Sequence, residues 1–290
     1  MNRLRLLRVA LAALLFSCVN LCFFGLSEGA AVVFGFHLLP ALLGLNAVAI
    51  AAILLVTLVF GRIYCSTVCP MGVFQDLAIW LFRRVRGKRP PRACILPAPP
   101  KALRFVFLTI SALLIAFGFV SLGALFDGYS LYGRIATQIF KPAYSSACNL
   151  LASALCEAGH PCLIREEVFV RGACALSVAL AGLAGVAVLV WWRGRLFCNT
   201  LCPVGALLAL VSKRPLFRVT IDKARCVKCG LCSASCACGA IDCRNATVDD
   251  SACVRCFNCL SSCRKHAISF RPARTMSLPH LRDVRTASAR

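Results

Sequence analysis

Residues 226–236 read Cys226-Val227-Lys228-Cys229-Gly230-Leu231-Cys232-Ser233-Ala234-Ser235-Cys236. Residues 253–263 read Cys253-Val254-Arg255-Cys256-Phe257-Asn258-Cys259-Leu260-Ser261-Ser262-Cys263. Each is a C-x2-C-x2-C-x3-C run, and the two stand in tandem. Three thiolates on one tight loop, with a fourth from a short helix further on, hold the corners of a cubane iron–sulfur cluster. Zinc sites use paired C-x2-C units, or Cys with His, four ligands at a time, and fit two tandem four-Cys runs poorly. A thioredoxin-type reading of Cys229 and Cys232 fails for want of a surrounding βαβ pattern.

Over about residues 220–272 the chain closely resembles the bacterial two-cluster ferredoxin domain, a small α+β fold. In that arrangement the fourth Cys of each run crosses to the other cluster. The resemblance implies two [4Fe–4S] clusters, one on Cys226, Cys229, Cys232 and Cys263, the other on Cys253, Cys256, Cys259 and Cys236. Ala240-Ile241 and Ala267-Ile268 follow the fourth cysteines where that family turns into a strand. The chain departs from the family at Ala237 and Arg264, where Pro is usual. Cys238 and Cys243 are surplus to eight ligands and read as bystanders.

Upstream lies a second repeat. Gly61-Arg62-Ile63-Tyr64-Cys65-Ser66-Thr67-Val68-Cys69-Pro70-Met71-Gly72 aligns with Gly194-Arg195-Leu196-Phe197-Cys198-Asn199-Thr200-Leu201-Cys202-Pro203-Val204-Gly205. The shared frame is G-R-[IL]-[YF]-C-x-T-x-C-P-x-G. In a helix, Cys at i and i+4 share a face. Pro after the second Cys limits the helix, and Gly two residues on frees the backbone. Cys65, Cys69, Cys198 and Cys202 together offer four thiols for a metal, a cluster or dithiol/disulfide chemistry. Small buried cysteines also simply pack, but repetition of the whole frame speaks against packing alone.

The rest of the chain is apolar. Of 290 residues 60% are hydrophobic and 15% charged, which excludes disorder and an ordinary cytosolic enzyme. Four uncharged stretches suit membrane helices of about 20 residues: about 9–27, 38–60, 105–126 and 172–192. Basic residues crowd positions 1–8, 61–104 and 193–290, so the positive-inside rule places both termini and the 61–104 segment in the cytoplasm. The net charge of +22 is thereby accounted for without nucleic acid. The first stretch also has signal-peptide features, with small residues at Gly29-Ala30-Ala31, but its apolar run favours a retained span. The run Arg83–Arg89 reads as a cytoplasmic retention signal that meets anionic lipid. The expected organisation is a four-helix transmembrane domain at 1–215, a cytoplasmic ferredoxin domain at 216–272 and a basic, disordered tail at 273–290.

The 127–171 segment is expected outside. Its Asp127-Gly128-Tyr129-Ser130-Leu131-Tyr132-Gly133-Arg134 stretch suits an interfacial anchor, with Arg134 free to pair Asp127 or meet a quinone carbonyl. Cys148, Cys156, Cys162 and Cys174 allow one or two disulfides of open connectivity. His160 reads as a solvated loop residue, and Cys18, Cys22 and Cys94 have no assigned chemistry.

Four spans, two C-x3-C-P frames and a C-terminal double ferredoxin run resemble the NapH-type membrane ferredoxins, with NosR and CcoG as relatives that share the frames. The resemblance implies a multi-pass inner-membrane protein within a multi-subunit system. It would relay electrons between the quinone pool, or a cytoplasmic donor, and a periplasmic oxidoreductase. That is a quinol dehydrogenase-type electron-transfer subunit rather than a stand-alone enzyme. Two other readings stay open: a CcoG-like copper reductase or assembly factor with the four frame thiols as soft ligands, and a redox-sensing regulator. No c-type haem motif, P-loop, Rossmann glycine frame or nucleophile elbow occurs. Spacing leaves the direction of electron flow open.

Overall fold

The computed structural model of the chain describes residues 3–26, 34–86, 101–157, 168 and 172–273. Cys94, His160, Cys162, the end of the Arg83–Arg89 run and the tail from 274 onward lie outside the described residues. Among the described residues two helices, α1 (Arg3–Phe24) and a later one at Ala173–Arg193, are long and apolar enough to cross a bilayer. Ala47–Phe60 and Ala102–Ala116 are shorter apolar stretches of helix.

The second and third apolar stretches are not continuous helices. Residues 38–60 form α2 (Leu38–Leu43) and α3 (Ala47–Phe60). Gly44 donates its N–H to Pro40 O at 2.8 Å, Leu45 takes φ 52°, and the Asn46 side chain accepts from Ala49 N at 3.1 Å. A new N-cap thus starts inside the apolar run. Residues 101–123 form α6 (Lys101–Ala116) and α7 (Val120–Gly123), numbered after α4 and α5 below. Gly118 at φ 86° reverses the chain, the Ser111 hydroxyl donates to Gly123 O, and Phe107 meets Phe126 edge-on at 5.2 Å. The reversal satisfies the freed backbone groups from within, as an apolar setting demands. It also brings Phe126, next to Asp127, back beside Phe107 of α6.

From there α8 (Gly128–Ile135), a π turn (Ala136–Phe140) and α9 (Lys141–Glu157) follow as one helical run, about 45 Å long at about 1.5 Å per residue. Then α10 (Ala173–Arg193) follows. Tyr132 donates to Asn20 Oδ1 of α1 at 2.6 Å, and Leu131 packs over Gly182 of α10.

Each repeat frame makes a short helix, a tight break and a second helix. The first gives α4 (Tyr64–Thr67) and α5 (Pro70–Arg86), the second α11 (Leu196–Thr200) and α12 (Pro203–Val211). The expected cytoplasmic loop at 61–104 therefore contains a 17-residue helix. It buries Gln75 and exposes Leu77, Trp80, Leu81 and Val85, an arrangement that hydropathy averaging hides.

The C-terminal part is α+β. β1 (Phe217–Ile221) pairs antiparallel with β4 (Ile268–Pro272), Val219 opposite Phe270. β2 (Ile241–Asp242) pairs with β3 (Thr247–Val248), and α13 (Leu231–Ser235) packs on α14 (Asn258–Ser262). Val219, Ala240, Ile241, Ala252 and Ile268 form its core. Its two halves repeat even in backbone strain: Lys228 and Arg255 sit at φ 53° and 56°, Gly230 and Phe257 at 76° and 59°, Gly239 and His266 at 63° and 48°.

Candidate functional site

The C-P-x-G ending of each frame builds a helix N-terminus onto a sulfur. Cys202 is the N-cap of α12, Pro203 fills the first turn, where its missing N–H costs nothing, and Gly205 N–H reaches the Cys202 sulfur at 3.3 Å. Gly72 N–H serves the Cys69 sulfur in the same way at the start of α5. The glycines are required by close approach. A Cβ on Gly72 would strike the Cys65 carbonyl oxygen, and one on Gly205 would strike that of Cys198.

The two frames clasp one another through their arginines. Arg62 donates from Nη2 to Cys198 O at 2.9 Å, and Arg195 donates from Nη1 to Cys65 O at 3.0 Å. Both side chains are fully buried. Arg195 also reaches Gly72 O at 2.9 Å and Asp76 Oδ1 at 2.8 Å, and Arg8 of α1 binds the other oxygen of Asp76. Burial pushes the Asp76 carboxyl up, but Arg195 and Arg8 together outweigh it and hold it below the usual carboxylate range. Among the described residues Arg62 has no carboxylate partner. It meets Asn199 Oδ1 at 2.6 Å and Ser251 O at 3.0 Å, both neutral.

This clasp draws Cys65, Cys69, Cys198 and Cys202 around one small buried cavity, closed by Tyr64, Asp127, Gly128 and Tyr129. All four are free thiols. A Cβ on Gly128 would lie 3.6 Å from the Cys69 sulfur and 3.7 Å from that of Cys202. Residues 127–129 therefore abut the frames, contrary to the expectation that they lie on the opposite side of the membrane. Asp127 caps α8 by accepting from Ser130 N at 2.9 Å, while Arg134 donates to Ser121 O at 2.8 Å and does not pair Asp127. His37 stacks on Tyr129 at 4.2 Å, its Nδ1 3.2 Å from the Tyr64 hydroxyl. Sequence reading missed this buried set, because its members come from three separate segments.

The ferredoxin cysteines gather in two cavities. One, of about 210 Å³, is lined by Cys226, Cys229, Cys232 and Cys263. The other is lined by Cys236, Cys253, Cys256 and Cys259. Each thus collects three cysteines of one run and the fourth of the other, the donor set a cubane takes. Cys243 edges the first cavity and Cys238 the second, so neither surplus cysteine is remote. Burial, then the neighbouring Cys256 and Cys253, pushes the Cys236 thiol up to about 12, and burial lifts Cys198 to about 11 despite Arg195. Among the described residues no group of three or more His, Cys, Asp or Glu closes around a point as a single metal ion requires. A [4Fe–4S] cubane carries iron at four of its eight corners, binds one thiolate at each iron, and so holds its cysteine ligands further apart than a single metal ion does.

The second cavity adjoins the frames. Arg195 N donates to Ala237 O at 2.9 Å, and Asn199 Nδ2 donates to Cys238 O at 3.2 Å. Arg255 donates to Phe60 O at 3.2 Å and to Asp250 at 2.6 Å. Val254 and Cys256 share one core with Tyr64, Phe197 and the four frame cysteines. The Ala237 backbone lies against Gly194 at this docking. Of the outer cysteines, Cys156 is disulfide-bonded, and Cys148 and Cys174 are free.

A family described as a 4Fe-4S binding domain matches residues 42–89 and 176–222, the two segments that carry the frames. Over these two segments the chain is similar to a 4Fe-4S binding domain. Among relatives, the methylamine utilization ferredoxin-type protein MauN of Methylobacillus flagellatus is 28% identical over 61% of the chain and 48% of its own length. MauN of Paracoccus denitrificans is 28% identical over 68% and 54%. YccM of Escherichia coli (strain K12) is 23% identical over 68% and 47%. The chain spans about half the length of these curated relatives. No solved structure matches.

Proposed function

We propose that the chain is a membrane-bound electron-transfer protein of NapH-like organisation. Cys226, Cys229, Cys232 and Cys263 hold one [4Fe–4S] cluster, and Cys253, Cys256, Cys259 and Cys236 hold a second. Such clusters supply one-electron relay. The observation that carries the reading is the placement of the two cysteine sets. The first opens to the surface, where Cys229, Val227 and Leu231 are exposed beside Lys228 and Lys265. The second is buried against the frames. An entry port and a buried relay thus stand in line, one end in solvent and the other at the apolar domain.

The membrane reading rests on the apolar surface of α1, α3, α5 and α10, and on Trp80, Trp191 and Trp192, which stay exposed beside Arg84 and Arg193 as interfacial anchors do. The α8–α9 run, broken by a π turn, takes the place of the third span, and the Cys156 disulfide at its far end fits an oxidising compartment. Both termini are cytoplasmic in this arrangement. The partners are quinol, or a cytoplasmic donor, and a periplasmic oxidoreductase system. Names among the relatives speak of methylamine utilization and electron transport, which suits a dedicated redox partner.

The test is an anaerobic potentiometric EPR titration of native membranes. Midpoints near that of the quinone pool support exchange with quinol. Midpoints far below it remove the quinol partner, and a spectrum without interacting [4Fe–4S] signals removes the two-cluster assignment.

A further inference from the structure

We propose that Cys65, Cys69, Cys198 and Cys202 together ligate a third iron–sulfur cluster, a [4Fe–4S] centre shared between the two repeat frames. The proposal deepens the electron-transfer reading above. The family match covers two segments, and each brings only two cysteines of the frame type. Two thiolates cannot hold a cubane, so neither segment is a complete site. The structure joins them: all four cysteines line one buried cavity, and reciprocal hydrogen bonds from Arg62 and Arg195 to the backbone carbonyls of Cys198 and Cys65 hold the two frames together.

Four features of this cavity suit an anionic thiolate cluster. The Cys69 and Cys202 sulfurs cap the N-termini of α5 and α12, where the helix dipoles favour negative charge. Gly128 leaves open the space that faces both sulfurs. Arg62 is fully buried, and among the described residues it has no carboxylate within ion-pair distance. A buried guanidinium with only neutral acceptors is costly unless an anion lies nearby. Gln75 is also fully buried; its Oε1 lies 3.4 Å from the Cys198 sulfur, and among the described residues its Nε2 has no hydrogen-bond partner. Oxygen and nitrogen of an amide exchange by a flip, and the flipped amide donates to a thiolate at Cys198. A pair of disulfides would leave Arg62 and Gln75 without any charge to answer.

The test counts iron and acid-labile sulfide in the anaerobically purified full chain and measures Mössbauer and EPR spectra. About twelve irons per chain are expected, at about four per centre. The Cys69→Ser/Cys202→Ser variant should lose about a third of them, with both ferredoxin signals kept. A variant with Cys226, Cys229, Cys253 and Cys256 all changed to Ser should keep about four irons, which shows the frame centre without relying on the fold of the first variant. About eight irons in the wild type, unchanged by Cys69→Ser/Cys202→Ser, would overturn the proposal and leave the two-cluster reading standing. Copper bound at the frame thiols, or Cys65–Cys69 and Cys198–Cys202 disulfides found by mass spectrometry of the anaerobic protein, would also overturn it. About four irons in the wild type, lost with the frame cysteines, would uphold the frame centre and sink the two-cluster reading.

Discussion

Changing Gly72 to Ala tests the clasp directly. The added methyl would fall far under 3.0 Å from the Cys65 carbonyl oxygen, a backbone atom that cannot swing aside. Either the short helix before Cys69 or the start of α5 must shift. Arg195 binds both sides of this contact, Cys65 O at 3.0 Å and Gly72 O at 2.9 Å, so a shift breaks at least one of the two bonds. Overpacking costs about 1–3 kcal/mol. A lost hydrogen bond to a charged group costs about 1.5–3 kcal/mol more. The expected loss is about 2.5–6 kcal/mol, a fall of about 5 °C or more in unfolding temperature. Fluorescence of the detergent-solubilised protein reports it well, because Trp80, Trp191 and Trp192 are its three tryptophans and all lie on the two helices that meet this frame. Gly205→Ala should behave alike, its methyl meeting Cys198 O and Arg62 Nη2. Gly185→Ala on α10 meets nothing within 4 Å and should be neutral or gain up to about 1 kcal/mol. Should Gly72→Ala unfold within a degree of the Gly185→Ala control, the clasp as described is wrong.

Asp76→Asn leaves Arg195 and Arg8 without their anion and should cost about 3–5 kcal/mol at neutral pH. The native Asp76 titrates below its unfolded value of about 3.9, so its contribution is full above that pH and is lost as pH falls through the lower native value. Helix unfolding followed by circular dichroism from pH 7 to 3 should show the gap between wild type and variant closing only below about pH 4; a gap that stays constant would contradict the ion pair. Tyr64→Phe removes the hydroxyl that accepts from Leu38 N at 3.2 Å and meets His37, and should lower stability by about 1–3 kcal/mol; an unchanged melting point would refute it. Lys228 is exposed at φ 53°, so Lys228→Gly should stabilise the ferredoxin part by up to about 1 kcal/mol, read as slower bleaching of cluster absorbance in urea. Faster bleaching would mean that the lysine side chain itself supports the loop.

The cysteine spacings were informative about which cysteines the fold brings together. The crossing of Cys236 and Cys263 between the two cavities follows the tandem pattern residue for residue. Strands begin at Ile241 and Ile268, as the Ala-Ile pairs after the fourth cysteines imply. Hydropathy was a poorer guide. It averages composition over a window and carries no direction, so a reversal at Gly118 or a fresh cap at Asn46 leaves the average unchanged. The signals were local: Gly44 with Asn46 two residues on, Ser111 mid-helix, and Asp127 ahead of Gly128 as an N-cap. The reciprocal arginines were present in the shared frame as the R of G-R, but only the fold shows that each serves the other copy. Gln75 and Asp76 fall in the 61–104 segment expected to be cytoplasmic, where one amphipathic helix runs through both and buries Gln75.

The exchange of arginines between the two frames has the geometry of a self-complementary dimer interface: residue 62 of one copy touches 198 of the other, and 195 touches 65. Such reciprocity belongs to isologous contacts between identical subunits. Here a single polypeptide holds both halves, which fits an ancestor that paired with itself before its coding sequence was duplicated and fused. Asp76 took up Arg195, while the corresponding position in the second copy, Ala209, carries no charge and packs in the interior. Neither half, expressed alone, would possess a finished interior, and each would present a surface shaped to receive its own duplicate.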